Sequence, residues 1–569
     1  MTNLSVQSVP LWLFFLLLAL AGCGDEITKS NDRENATQPG APRPEPSAPA
    51  PSAPVLAPAV PVPVPLAPLV PKLRPVTFLN FEFESYGTLR LRWEKEPNAS
   101  RYELCYETQK KEYCPHTTLN NALNREISMT FKAIGALKFH DYDFYIKAFN
   151  GSGNVTKSAD QKLMNYPQVL NRMIGYLKGD VIKSKVRFGT EVLFGPKTSD
   201  LFVIGQDRLS SFKKDSNDIW RISSFSSRVA QPIANFSKNV NFKSGTKKVS
   251  RLAISPNGKV IAVLADKNIV AFYQKNSKSG EWDLLFTENK LSEITSFSLS
   301  RDGRHALIGT SKGAYFVPIP QSSKNTTITV QFNDISGFVY DVAFIRGGFA
   351  IIHSDKGKIK LSLLVRPKDR PFEIPNQKLE NYTGDASLDV SGDGKTLVIG
   401  LPDFDQKKGL VLVYKGSNIF GLKNSSPIEL TPVTRGTQSM FGYSVAMNGD
   451  GSRILVGAPD EKSDHTGIYP DGGNAITSAV HILDSSGAAY LFEEENSGYK
   501  QADFIKSPSP RSKEHFGYSV TMDANGEFIA VGAPGESIGA VGFNQLSLDE
   551  RKNSQTSSNS SEVGAVFLY

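Results

Sequence analysis

An internal repeat constrains this chain more than any other feature. Phe441 to Asp460 reads FGYSVAMNGDGSRILVGAPD, and Phe516 to Gly535 reads FGYSVTMDANGEFIAVGAPG. Each copy runs on to a small-residue turn and an aromatic strand, SGAAYLF closing at Phe492 and VGAVFLY closing at Tyr569. Self-similarity of this kind specifies an array in which each unit buries its faces against its neighbours.

Weaker copies precede these two. They are LAISPNGKVIAVLAD from Leu252, FSLSRDGRHALIGT from Phe297, VAFIRGGFAIIHSD from Val342 and LDVSGDGKTLVIGLPD from Leu388. A further unit, FGTEVLFGPKTSDLFVIGQD from Phe188, shares the opening Phe-Gly and the apolar strand ending in Gly. Seven units at spacings of roughly 45 residues predict a β-propeller of four-stranded blades. The last unit stops at its third strand, Tyr569, and the strand-like segment around Val169 to Tyr176 belongs to no complete unit. The expectation is that this segment closes the ring, which removes exposed sheet edges; a truncated array is the competing reading.

The amino terminus sets the compartment. Leu11 to Ala21 is an apolar run, LWLFFLLLALA, followed by Gly22 and Cys23. It is too short to span roughly 30 Å of hydrocarbon as a helix and suits a cleaved secretory signal over residues 1–22. The ending Leu20-Ala21-Gly22-Cys23 resembles a bacterial lipobox. That resemblance implies lipidation of Cys23, a membrane partner through the lipid, and placement in the outer membrane, on its periplasmic side or the cell surface. Acyl chains contribute about 0.8 kcal/mol per buried CH2, so several on one cysteine anchor firmly.

Residues 23–75 are polar and then rich in proline, as in PAVPVPVPLAPLVP. This composition favours extended polyproline II at about 3.1 Å per residue and predicts a stalk reaching on the order of 100 Å. Residues 76–160 alternate apolar and polar side chains in TLRLRWE, RYELCYE and YDFYIKAFN, between turn residues. Short strands at this spacing predict an antiparallel sandwich. Trp93, Pro97, Tyr102 to Tyr106, and Tyr142 to Asn150 resemble the core pattern of a fibronectin type III domain. The resemblance implies an interaction or spacer module. The fold expected is therefore all-β: an immunoglobulin-like, fibronectin type III sandwich followed by a seven-bladed propeller over residues 163–569.

Cys105 and Cys114 flank the hairpin YELCYETQKKEYCP. In an oxidising compartment they are expected to form a cross-strand disulfide, with two neighbouring free thiols as the alternative. Two cysteines with no histidine partner make a poor zinc site.

The pattern FG-YSV, GDG, LVGAP, G-A-YLF resembles the FG-GAP repeat of integrin α-subunit propellers and their bacterial relatives. The match is strong at Phe441-Gly442, Gly457-Ala458-Pro459, Phe516-Gly517 and Gly532-Ala533-Pro534. Some members of that family bind calcium through Asp-x-Asp/Asn-x-Asp-Gly-x-x-Asp turns, in which oxygens at alternating positions suit a hard cation. The first and last ligand positions fail here at Ala446 and Ile454, and at Thr521 and Ile529. The Asp389, Ser391, Asp393-Gly394 turn comes closest but ends on Leu397. Asn-Gly and Asp-Gly favour tight hairpins, so these segments are expected to turn without metal, and no cofactor is expected.

Long insertions rich in Ser, Asn, Asp and Gly run from Glu461 to Ser486 and from Glu536 to Glu562. Loops on a rigid scaffold are where binding is commonly built, and Ile468, Tyr469, Phe543 and Leu546 are the candidate anchors for a partner. Solvated loops with no role are the alternative.

The seven histidines are scattered, and no nucleophile elbow, phosphate loop or HExxH motif occurs. Net charge is +7 from 64 basic and 57 acidic residues, which does not point to nucleic acid. The chain is therefore expected not to be an enzyme but a lipid-anchored binding or adhesion protein for an unknown protein or glycan. An enzyme acting on envelope or extracellular polysaccharide is the rival, and it requires carboxylates or histidines converging on the central funnel.

Overall fold

The computed structural model describes residues 72–85, 88–108, 111–119, 126–132, 143–158, 161–162, 175–178, 185–196, 200–205, 208–214, 220–222, 249–265, 267–278, 282–291, 293–320, 329–433, 438–470, 481–496, 498–538 and 562–569. The expected signal peptide, Cys23 and nearly all of the proline stalk lie outside these residues, as do Phe543 and Leu546. Among the described residues no helix is long and apolar enough to cross a membrane.

The architecture is all-β. Strands Phe78–Ser85, Thr88–Glu94 and Glu126–Lys132 form one antiparallel sheet. Lys111–Leu119, Arg101–Thr108, Asp143–Phe149 and Val155–Lys157 form a second, with Gln161–Lys162 added beside Asp143–Phe149. Trp93 is fully buried and meets Tyr102 edge-on at 5.3 Å. The alternation of Tyr102 and Leu104 along one strand places both side chains in the interior.

Among the described residues seven further sheets follow, six of four strands and one of five. Their first strands are Glu191–Phe194, Val249–Ile254, Ile294–Leu299, Val339–Ile345, Ser387–Val390, Ser444–Met447 and Ser519–Met522. Each first strand packs on the next in chain order, and the last packs back on the first, so the ring is closed and the fold is a β-propeller. The closing strand is Gly175–Leu177, which pairs with Ala565–Leu568 as the fourth strand of the seventh sheet.

The second strands read as near-continuous apolar runs because both faces are covered. In Arg453–Ala458, Ile454 and Val456 face the fifth sheet's Val398, Val411 and Val413. Leu455, between them, faces Val531 and Phe567 of the seventh. Leu177 of the closing strand joins Phe188, Val192 and Phe212 of the first sheet in one core. Full burial of each such side chain contributes roughly 1.5–3 kcal/mol.

The Phe-Gly pairs have a specific job at the sheet junctions. Gly189, Gly442 and Gly517 all adopt positive φ, near +90°. Their carbonyls lie against glycines of the preceding sheet. A Cβ on Gly400 would sit 2.0 Å from the Gly442 oxygen, one on Gly457 2.0 Å from the Gly517 oxygen, and one on Gly532 2.1 Å from the Gly189 oxygen. The Phe carbonyls close on a second set: Gly409 against Phe441, Gly487 against Phe516, and Gly564 against Phe188. The same interlock thus serves the junctions between sheets five and six, six and seven, and seven and one. It needs glycine because backbone touches backbone. The phenylalanine of each pair is buried, Phe441 against Tyr490 at 5.3 Å and Phe516 against Phe567 at 5.3 Å.

Candidate functional site

The first strands surround a central channel of about 1630 Å³. Their side chains reach sideways to the next sheet and belt the ring together. Glu191 Oε1 accepts from Leu252 N at 3.0 Å, Asp341 Oδ2 from Leu388 N at 3.0 Å, and Asp389 Oδ2 from Met447 N at 2.8 Å. Thr295 Oγ1 donates to Val339 O at 2.6 Å, Ser387 Oγ to Gly442 O at 3.0 Å and Ser519 Oγ to Gly189 O at 2.8 Å.

Three carboxyl groups of the first strands, Glu191, Asp341 and Asp389, therefore line the channel. Burial pushes Glu191 up to about 7, with neighbouring Asp341 adding to the rise and Arg251 opposing it. Burial likewise raises Asp389 to about 7 and raises Asp341. These shifts have the sign of a general acid, but the groups have a structural task. Asp341 uses both oxygens on backbone N–H groups, Val342 N at 2.9 Å and Leu388 N. Asp389 accepts from Met447 N and is also hydrogen-bonded by Val390 N–H.

The residues that precede the first strands line one mouth of the channel. An aromatic arc occupies this rim: Phe338 and Tyr340 with ring centroids 5.0 Å apart, and Tyr443 and Tyr518 4.9 Å apart. The Arg187 guanidinium lies 5.8 Å from the Tyr518 ring centre. The exposed Asp385 sits between the two pairs. Its charge adds to burial in raising the phenols of Tyr340 and Tyr443, and of Tyr382 just behind them. Asp385 is held by its backbone, its N–H donating to Asp403 Oδ2 at 3.1 Å and its carbonyl accepting from the Tyr382 hydroxyl at 2.5 Å.

Buried lysines clamp the two long insertions at their bases. Lys506 Nζ, fully buried, lies 2.5 Å from Glu461 Oε2 at the start of the first insertion and 2.8 Å from Ser486 Oγ at its end. In the seventh sheet Lys178 is paired with Glu536, both fully buried, and Gly564 N donates to the Glu536 carbonyl at 2.8 Å. The two lysines are equivalent, each following the fourth strand of its sheet. The fifth sheet has a short connection and carries Phe404 and Thr431 at the corresponding places.

The sequence-derived anchors fare differently. Ile468 is 1% exposed: Ile468–Pro470 folds back as an edge strand beside Gly498–Ile505, and this turns the side chain into the core. It therefore offers no loop surface. Tyr469 is half-buried, packed near His465 at 5.5 Å and Phe504 at 6.0 Å. Among the described residues of that insertion Ile482 is instead the exposed large apolar side chain, at 78%.

Cys105 and Cys114 are joined, their sulfurs 2.05 Å apart. A bulge between Leu104 and Tyr106 sets Cys105 opposite Cys114 in the register. Glu103, Cys105 and Cys114 form the one metal-like triad among the described residues. Its two sulfurs are bonded to each other and offer no thiolate.

The hairpin carboxylates are occupied within their turns. Asp393 Oδ1 accepts from Ser391 Oγ at 2.7 Å and Lys395 N at 3.0 Å, and Asp450 Oδ1 from Ser452 N at 2.9 Å. Sequence reasoning passed over Tyr443, Tyr518, Glu461, Glu536, Lys506, Lys178 and Asp385. The first four carried a signal: Tyr follows Phe-Gly, and Glu stands two places after Gly-Ala-Pro, in both full copies.

No protein-family model matches the sequence, and a search of curated proteins returns no match. Solved structures with some likeness include Kuenenia stuttgartiensis hydrazine synthase, at 11% identity and TM-score 0.40 over 63% of this chain and 96% of that one. The Cps50 (Swd1) β-propeller domain of Myceliophteria thermophila gives 9% identity and TM-score 0.41 over 67% and 96%. The RRP9 WD40 repeats give 14% identity and TM-score 0.41 over 69% and 96%. Values this low add nothing to what the sheet topology establishes.

Proposed function

We propose that the chain is an exported binding protein, lipid-anchored at Cys23, whose proline stalk carries a fibronectin type III-like module and a seven-bladed propeller with FG-GAP-like junctions to a protein or glycan partner. The observation that carries the binding reading is how the funnel is used. Its carboxylates accept backbone N–H groups across sheet junctions, which suits a rigid scaffold better than a mobile acid–base pair. The clamped bases of both insertions support the same reading, since a loop that recognises a partner gains from fixed ends. The seven four- or five-stranded sheets support the blade count, and the division into three- and five-stranded sheets before them supports the fibronectin-like module. The outer-membrane placement rests on the sequence around Cys23.

The full chain, used as bait against detergent-solubilised envelope and against extracellular polysaccharide, tests this function. Capture of a defined partner that is weakened by Lys506→Met, which frees the base of the first insertion, is the expected result. Failure to retain either class of material would count against it.

The polysaccharide-cleaving enzyme is kept as the second reading because Glu191 and Asp389 are raised to about 7 inside the funnel. Reducing-end release from envelope polysaccharide that disappears in Glu191→Gln and Asp389→Asn, with the fold intact, would establish it.

A further inference from the structure

The rim of the channel, where the aromatic arc lies, adjoins the end of the second insertion: Arg187 N donates to Glu562 O at 2.9 Å, and the Arg187 guanidinium lies 3.7 Å from the Glu562 carboxylate. Its residues come from five sheets: Phe338 and Tyr340 open the fourth, Asp385 the fifth, Tyr443 the sixth, Tyr518 the seventh and Arg187 the first. In ring order Asp385 falls between the Phe338–Tyr340 pair and the Tyr443–Tyr518 pair, and its charge reaches both Tyr340 and Tyr443. Phe338 is 42% exposed, a large apolar ring left open at the mouth of a large cavity.

The chemistry of this rim narrows the ligand. Charges of both signs share it: Arg187 and Lys267 stand at the first and second sheets, Glu293 and Asp385 at the third and fifth. A polyanion would meet the two carboxylates and a polycation the two bases, so neither gains a consistent field. The exposed Asp385 carboxylate stands between the two aromatic pairs and gives the rim a hydrogen-bonding edge beside the ring faces. Aromatic surface beside donors and acceptors of both kinds is complementary to a ligand with apolar C–H faces and many hydroxyls.

We infer that the mouth formed by Phe338, Tyr340, Asp385, Tyr443, Tyr518 and Arg187 binds a neutral saccharide, its ring faces on the aromatic arc and its hydroxyls on Asp385 and Arg187. This inference rests on the binding reading above and gives the class of ligand for the propeller itself.

The test uses the full chain with cellohexaose, maltohexaose and N-acetylchitohexaose as probes, followed by calorimetry and saturation-transfer NMR. One probe is expected to bind with a Kd of about 1 mM or tighter, and to weaken at least about tenfold in both Tyr443→Ala and Phe338→Ser. Phe338 is exposed, so its replacement keeps the test valid should Tyr443→Ala misfold. Tyr443→Phe is expected to retain part of the affinity. Three results would overturn the inference: no probe binding up to about 10 mM, binding unchanged in both variants, or binding of a lysine- and arginine-rich peptide at this rim that Asp385→Asn removes. A captured envelope protein whose binding survives Phe338→Ser would leave the binding role standing while removing the saccharide.

Discussion

The carbonyl oxygen of Gly517 lies 2.0 Å from the place a Cβ on Gly457 would occupy. One glycine is the penultimate residue of the second strand of the sixth sheet, and the other follows the phenylalanine that opens the seventh. The repeat signature is thus a record of where two sheets touch through bare backbone. Gly457→Ala is expected to lower stability by at least ~1–3 kcal/mol through overpacking. Gly498→Ala is the control, because a Cβ there meets nothing within 4 Å. Chemical denaturation of the two variants checks the difference, and equal midpoints would refute the interlock.

Ring closure rests on a three-residue strand and a buried ion pair. Removing one partner of such a pair leaves an uncompensated buried charge, at a cost of about 3–5 kcal/mol. Lys178→Met and Glu536→Gln are therefore each expected to destabilise strongly, and the double variant Lys178→Met/Glu536→Leu to recover part of the loss. Hydrogen exchange at Ala565–Leu568 should report the opening first. Single and double variants with additive losses would show that the two residues do not act as a pair.

The funnel carboxyls predict a pH dependence of definite sign. Folding raises Glu191 from 4.5 and Asp389 from 3.8, each to about 7. A raised carboxyl holds its proton more tightly in the native state. Its contribution is complete below the unfolded value and is lost as pH rises through about 7. The melting temperature is expected to fall between about pH 5 and about pH 8. The Glu191→Gln/Asp389→Asn protein should show a flatter profile over that range. Parallel profiles would mean that these groups are not the source.

Thiol labelling addresses the joined cysteines. Cys105 and Cys114 are expected to resist alkylation until reductant is added. Reduction should then expose the strands of residues 78–162 to protease, with a loss of about 2–3 kcal/mol for a loop this short. The propeller melting transition should be unmoved. Labelling of both thiols without reductant would contradict the bond.

Much of this fold is legible in the order of residues, for a local reason. Apolar runs such as RILVGA signal strands covered on both faces, and Asn525-Gly526 and Asp450-Gly451 signal the hairpins between them. The Phe-Gly and Gly-Ala-Pro steps mark the junctions, and the strand around Tyr176 is legible as an orphan in need of a partner. Ile468 shows the limit. It stands in a segment rich in turn residues, between Gly467 and Pro470, so it reads as a loop residue, yet pairing with Ile505 across the sixth sheet buries it.

By itself the sequence determined the repeat, the strand period, the turns and the glycine positions, because each is written within a few adjacent residues. Only the tertiary structure decided what converges. Lys178 and Glu536 are 358 residues apart in the chain, and Tyr443 meets Tyr518 only because two sheets stand side by side in the ring. Such pairs have no local signature: closing the ring, and not any adjacent residue, brings them together.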